Sequence, residues 1–462
     1  MSIDVVRIGN GAGFWGDNLD APYLLARDGR LDWLTLEYLA ELTLAILAHQ
    51  RVKDPNAGFV TDFPDLLARL APVLVDQPAL GVVTNAGGLN PLACAAACAA
   101  ILDRHGLGAT TLGVVTGDDV LGRLRDWRRD GVALDHIETG AAIDPLLDRF
   151  VCANVYLGAQ PIAGLIAAGA RVVVTGRVAD ASLTVGPAVA RFGRRWDDWD
   201  FLASATVAGH VVECGAQATG GLWHAWDAVE NLDDVGYPIA EVAADGSSVI
   251  TKPDGSGGLV SVGTISEQLV YEIDDPTCYR TPDVNVDLTS VALADVGPNR
   301  VAITPARGAT PGPNLKMAAV YRDGWTASGM LAIAGRGAET KARAAGAILL
   351  KRVARAGFAL EHALVEVLGA GDLVPGCLQP AAPPLEVVLR VTARDNRRAA
   401  VERFCREFAP LVTAGPPGVA GYASGRPEPR PAFGYWPALV PRALVAAAVD
   451  LRPASEWTTA SR

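Results

Sequence analysis

Apolar residues occur along this chain in short unbroken runs, separated by polar loops and by stretches with helical spacing. Val5 to Ile8, Leu31 to Leu36, Gly81 to Thr84, Leu112 to Thr116 and Arg171 to Thr175 are the clearest runs. They are rich in Val, Ile and Leu and barely alternate with polar residues, as expected of parallel strands covered on both faces. Between them, residues 35–48 (opened by Glu37), 63–74, 91–105 and 160–168 carry apolar positions three and four apart, which predicts helices. Gly169 reads as a helix stop. Strand, polar loop and helix in repeated alternation predict an α/β fold: an open, mostly parallel, Rossmann-like sheet with helices on both faces. That pattern fills residues 1–195. Residues 196–462 read as a second α/β domain with Gly/Pro-rich loops. Its strands are expected at 316–321, 325–334, 385–392 and 443–451, and its helices at 338–356 and 396–407.

Ligands of open α/β sheets sit beyond the carboxyl ends of the strands, so the residue types at each strand exit carry the functional reading. The first run is followed by Gly11, Gly13 and Gly16 in G-x-G-x-x-G spacing. A dinucleotide site would also need an acid ending a second strand. Glu37 is expected to open a helix instead, so the loop is read as a backbone nest for an anion or carbonyl, with Asp17 aimed into the pocket. Asn85 and Asn90 follow the third run and suit orienting a carbonyl or amide; Asn90 before Pro91 also fits a helix cap. Asp118 and Asp119 follow the fourth, as a general base, a divalent-cation site for an ion such as Mg²⁺, or a cap. Arg177, Asp180 and Ser182 follow the fifth. Farther on, His210 and Glu213 are three apart and share a helix face, an acid/base or ligand spacing, with Cys214 and Gln217 beside them. Lys252 near Gly257-Gly258 and a helix start suits a phosphate or carboxylate.

Composition narrows the classes. Of 462 residues, 50% are hydrophobic and 20% charged, which describes a folded body of enzyme size. A net charge of −11 argues against a nucleic-acid surface. The seven Cys are odd in number and scattered, as in reduced thiols of a cytoplasmic protein. The chain opens on a strand without a signal peptide, and no apolar run reaches the roughly 18 residues of a membrane helix. A cytoplasmic protein without membrane contact is expected. Ten Trp and apolar segments near the tail make a homo-oligomer the expected state.

Eight ordered blocks carry a family resemblance: GNGAGFWGD (9–17), VVTNAGGLNP (82–91), TGDD (116–119), YLGAQPI (156–162), VTGRVADASLT (174–184), GHVVECGAQATGG (209–221), GYPIAEV (236–242) and TKPDGSGGLV (251–260). Together they resemble the acyclic terpene utilisation (AtuA) family, long catalogued as a domain of unknown function, over about residues 4 to 450. The resemblance implies a bacterial catabolic or biosynthetic setting in which acyclic terpenoid acids are handled as coenzyme A thioesters. It suggests a lyase or hydratase step on a branched 3-hydroxyglutaryl thioester. Some relatives carry a further small domain, which here would be a separate partner polypeptide. On this reading Arg177 and Lys252 hold a carboxylate or phosphate, and Asp180 or Asp118 is the general base. Asn85 and the Gly11 and Gly13 amides stabilise an enolate or alkoxide, and His210 or Glu213 acts from the other domain across a cleft. The alternatives are a hydrolase using Ser182 or Cys214, and a subunit that binds acyl-CoA or a partner without chemistry.

Overall fold

The computed structural model describes residues 4–378 and 380–459. The first elements are β1 (Val5–Asn10), α1 (Ala21–Asp28), β2 (Trp33–Leu36), α2 (Glu41–Lys53), α3 (Asp62–Asp76), β3 (Gly81–Thr84), α4 (Pro91–Arg104) and β4 (Thr111–Thr116). They are followed by α5 (Leu124–Arg129), β5 (Phe150–Val155), α6 (Gln160–Ala167), β6 (Val172–Thr175), α7 (Ser182–Phe192) and α8 (Trp199–Glu213). Next come β7 (Ile239–Ala243), β8 (Ser248–Thr251), α9 (Val262–Val270), β9 (Tyr279–Arg280), β10 (Asn285–Asp287), β11 (Leu293–Gly297), β12 (Arg300–Ile303), β13 (Arg307–Ala309) and β14 (Asn314–Ala334). The last are α10 (Ala338–Arg355), β15 (His362–Leu368), β16 (Glu386–Asp395), α11 (Arg398–Arg406), β17 (Val419–Tyr422), β18 (Arg430–Pro441) and β19 (Ala448–Pro453).

The fold is mixed α/β. Its large sheet has ten strands in the order β11-β12-β8-β7-β1-β2-β3-β6-β4-β19. The stretch β1-β2-β3-β6-β4 is parallel, as the unbroken apolar runs predicted. Leu34, Val82, Val83 and Val172 to Val174 are fully buried in it. Every other neighbouring pair is antiparallel. The expectation of a mostly parallel, Rossmann-like sheet is therefore corrected to a mixed one. Parallel neighbours need a helical crossover, whereas the turns after β7 and β11 are too short for anything but hairpins. Asp245-Gly246, with Gly246 at φ +87°, is the hairpin signal between β7 and β8.

Residues 1–320 and 435–462 form one compact unit and residues 321–434 another. The boundary expected near residue 195 falls inside the first unit, where β7, β8, β11 and β12 extend the sheet begun by β1. The second unit has its own core of Leu331, Ile333, Leu349, Leu389, Val391, Phe404 and Phe408. Its strands lie in the order β15-β16-β14-β17, all antiparallel, and the chain traces β14, α10, β15, β16, α11, β17, a split β-α-β-β-α-β arrangement. The two strands expected at 316–321 and 325–334 are one, β14, with Gly324 at φ +79° allowing the chain to continue between them.

Two local features place the site. Residues Phe201 to Val212 of α8 are all buried, so this helix is covered on every side and runs through the core. Gly209 lets it approach the start of α7: a Cβ there would meet Ala181 O at 2.8 Å. The second feature corrects an expectation. The helix foreseen from residue 35 begins only at Glu41, and Glu37 lies in a loop directly after β2. Its amide donates to Ala12 O at 3.0 Å, which holds it beside the first glycine loop and outside a helical turn. Among the described residues no helix is long and apolar enough to cross a membrane.

Candidate active site

A cavity of about 810 Å³ lies at the carboxyl ends of β1, β2 and β6. Its lining residues all belong to residues 1–320 and 435–462. Gly13, Phe14 and Asp17 follow β1, Glu37, Leu39 and Ala40 follow β2, Tyr156 follows β5, and Ala179 and Asp180 follow β6. The facing wall is His210, Glu213 and Cys214 at the end of α8, Gln217 in the turn beyond, Tyr271 to Ile273, β9, and residues 312–316. The cavity opens at strand exits, the edge of an open α/β sheet where ligands generally sit.

Glu37 is part of this lining. The residue is 5% exposed; Asn85 Nδ2 donates to its Oε2 and Leu39 N to its Oε1 at 2.8 Å. Arg177 Nη1 lies 3.8 Å from Oε1. Burial pushes the Glu37 carboxyl up to about 7, against the opposing pull of Arg177 and Asn85. A carboxyl that titrates near neutrality in a cavity wall is equipped to take and return protons at ordinary pH.

Across the cavity, His210 Nδ1 and Glu213 Oε1 are 3.0 Å apart. Burial alone would lower the imidazole pKa; the Glu213 carboxylate outweighs it and the net shift is upward. The Tyr279 ring lies 5.4 Å from the His210 ring, tilted by 49° to it. Asp17 accepts from Gly13 N at 2.9 Å and from Tyr237 OH at 2.6 Å, and is thereby held at the cavity edge.

Several residues singled out in the sequence stand behind this lining. Arg177, expected to grip a substrate carboxylate, does not line the cavity and is 1% exposed. Its guanidinium donates to Val178 O, Leu39 O and Asp180 Oδ1, and stacks 4.3 Å from the Tyr156 ring. Asp118 is buried, and its Oδ2 accepts from Arg177 N and Asn154 Nδ2, both at 2.8 Å. Burial raises its pKa to about 6, yet it braces the Arg177 loop instead of facing the cavity. Asp119 caps Leu121 N and sits 3.4 Å from Arg51. With these commitments the Asp pair does not fit a Mg²⁺ site, and among the described residues no three His, Cys, Asp or Glu converge as metal ligands.

Asn85 bridges Glu37 and Tyr38 N, so it orients the acid and not a substrate carbonyl. Asn90 caps α4 through Ala93 N and donates to the carbonyl of Ala57. Gly11 N donates to Thr35 O and Gly13 N to Asp17, so the expected oxyanion nest has no free amide at either position. Nor does the loop cradle a dinucleotide: α1 starts only at Ala21, beyond all three glycines. Lys252 donates to Ser256 O and closes its own turn away from the cavity.

Neither hydrolase nucleophile is placed for attack. Ser182 is 1% exposed and donates to Asp283 Oδ2 at 3.0 Å. Cys214 does line the cavity, but burial and the Glu213 carboxylate push its thiol up to about 12. A short iodoacetamide pulse at pH 7.5 is expected to label the exposed Cys377 and leave Cys214 unmodified, read by peptide mass spectrometry. Rapid Cys214 alkylation would reinstate it as a nucleophile.

Asp180, His210, Glu213, Gln217 and Asp17 are thus brought together as the sequence suggested. Glu37, Tyr156, Glu272, Arg280 and Lys316 join them without having been selected. Glu37 carried the same signal as the other exits, a polar residue directly after an apolar run. Arg280 and Lys316 lie at or within strands and gave no such signal.

A family model described as "Acyclic terpene utilisation family protein AtuA" matches residues 6–451. No curated protein and no solved structure matches the chain.

Proposed function

The chain belongs to the acyclic terpene utilisation family AtuA, and from that premise we propose an enzyme of lyase or hydratase type acting on a branched carboxylate or acyl-CoA thioester. The observation that carries this reading is Glu37: a buried carboxyl with its pKa near 7, lining a cavity large enough for an acyl chain and part of its carrier. In an elimination, the Glu37 carboxylate takes the proton from the carbon next to the acyl carbonyl. The carbon–oxygen bond breaks at the neighbouring carbon, and His210 gives its proton to the departing oxygen, which leaves as water. Hydration runs the same steps backwards. Glu213 holds the imidazole through Nδ1 and favours its protonated form. Lys316, whose ammonium lies 5.0 Å from the centre of the Tyr156 ring, and Arg280 are the exposed cations of the lining and would face an anionic group of the substrate.

A thermal-shift screen with coenzyme A, short acyl-CoAs, free branched dicarboxylates and NAD(P) tests the substrate class, because a ligand of the native state raises its melting temperature. A shift with acyl-CoA that is lost in Lys316→Ala is expected. A shift with NAD(P) alone would overturn the proposal. Acyl-CoA binding without turnover of any ester would leave a binding subunit as the function.

A further inference from the structure

Strand β15 ends the sheet of the second unit and pairs with β16 over all 7 of its residues, without a register shift. A strand in that position presents unpaired main-chain groups, and proteins usually blunt such an edge. The other strands at the ends of the sheet orders are blunted. The register of β11 shifts at Asp295, whose side chain accepts from Val262 N at 3.2 Å. Strand β19 carries the Asp450–Arg452 ion pair and ends on Pro453. Strands β9 and β13 are 2 and 3 residues long, and β17 contains Gly421 at φ +140° beside a register shift. Strand β15 has no Pro, Lys or Arg and no bulge. His362, Ala363 and Leu364 are exposed, Leu364 by 56%.

The turn after β15 shows which of its groups face outward. Val367 N donates to Asp372 Oδ2 at 2.8 Å, and Val367 O accepts from Ala370 N at 3.1 Å, so both point away from β16. Main-chain groups alternate in direction along an antiparallel strand, so those of Ala363 and Val365 point outward too. Among the described residues these four groups have no partner. A second copy of β15 offers the same four. One symmetric antiparallel register satisfies all eight, with Ala363 of each copy opposite Val365 of the other. The neighbouring symmetric registers set Ala363 against Val367, which is closed, or Val365 against Glu361, whose amide is held by Asp395 Oδ2 at 3.3 Å.

The side chains suit that register. Leu364 meets Leu364 at the close, non-hydrogen-bonded position. The His362 imidazole lies across from Glu366, whose carboxylate Arg390 holds at 2.6 and 2.7 Å within its own copy. On the other face, Val365 lies under α10, where a Cβ on Gly346 would meet Val365 Cγ1 at 2.6 Å. Arg352 of α10 pairs with Glu407, beyond α11, at 2.7 Å. The opposite side of the helix, where Arg343 grips Asp372, therefore looks toward the free edge. Exposed Ala347 and Ala354 share that side with Leu350. We propose that β15 pairs antiparallel with β15 of a second copy of this chain, with Leu364 on the two-fold axis and the two α10 helices side by side. The proposal is independent of the chemistry of the cavity, whose lining belongs to the other unit.

Sedimentation velocity of the full chain between about 2 and 200 µM tests it. A reversible dimer with a dissociation constant on the order of 10 µM is expected, as for an interface of modest area. Leu364→Asp sets two carboxylates against each other, and Ala363→Pro removes an outward N–H without touching the β15–β16 ladder. Each should weaken association by about tenfold or more with an unchanged circular dichroism spectrum. The register has its own readout. In a Cys377→Ser background, Leu364→Cys should form a covalent dimer under mild oxidation, because the two Cα atoms would stand about 5 Å apart. His362→Cys should not, since its two copies lie four residues apart along the paired strands. A monomer throughout the concentration range overturns the proposal. So does a dimer indifferent to both substitutions, or His362→Cys cross-linking as readily as Leu364→Cys.

Discussion

Glu37→Gln is expected to lower kcat by about 10²–10⁴-fold, the usual contribution of a positioned acid or base. The substitution keeps the size of the side chain and an oxygen for the Asn85 amide, so ligand affinity should change little. In the wild type, the limb of the pH–rate profile that reports Glu37 should lie near 7, where its carboxyl titrates. In Glu37→Gln that limb should vanish. A variant that keeps both its rate and its pH profile would exclude Glu37 from the chemistry.

The same substitution has a signature in stability. The folded-state pKa of Glu37 is raised above its ordinary 4.5. Folding therefore favours the protonated form, and the associated stability is fully present below about pH 4.5. It is lost as pH rises through about 7, because the unfolded chain releases the proton first. The full difference is on the order of 3 kcal/mol. Denaturant midpoints measured from pH 4.5 to 7.5 should fall less steeply for Glu37→Gln than for the wild type.

Arg177→Met should destabilise the first unit by about 3–5 kcal/mol, the range for removing one partner of a buried ion pair. The loss comes from what is left behind. Asp180 loses its cation, Glu37 loses the charge 3.8 Å away, and the carbonyls of Leu39 and Val178 lose donors. Because Arg177 holds the Glu37 pKa down, the pH–rate limb should also move upward in any active variant. Arg177→Lys should fall between, since an ammonium restores the charge but not three directed hydrogen bonds. Equilibrium unfolding followed by Trp fluorescence measures the first effect. Wild-type stability combined with a large rise in KM would return Arg177 to the role of substrate grip.

Much of the architecture was legible because burial leaves its mark on composition. The unbroken runs at 81–84 and 171–175 announced central parallel strands, and the polar residues following them marked the edge where the cavity opens. What sequence spacing could not convey is which side of a strand exit each side chain takes. Glu37 and Asn85 leave neighbouring strands, yet one faces the cavity and the other holds it from behind. Asp180 and Arg177 divide in the same way within a single loop. A charged side chain in a strand-end loop is equally consistent with contacting a ligand and with bracing the residue that does. The distinction is made by partners distant in sequence, such as Leu39 for Arg177 and Tyr237 for Asp17. Hairpins were the other loss. They replaced crossovers after β7, and the signal for one of them was the two-residue sequence Asp245-Gly246.

The placement of residues 321–434 inside the sequence of the first unit has a consequence for synthesis. Strand β19, which pairs with β4 along Thr111 to Thr116, leaves the ribosome only after the whole second unit has been made. The second unit is contiguous in sequence and can close its own core as it emerges, whereas the hydrogen-bonding edge of β4 waits through more than three hundred further residues. A nascent chain in that interval presents an open, apolar strand edge of the kind that recruits other chains. Premature termination in or shortly after the second unit should therefore yield aggregates and not a smaller soluble protein, and chaperone capture should concentrate on ribosomes translating that interval.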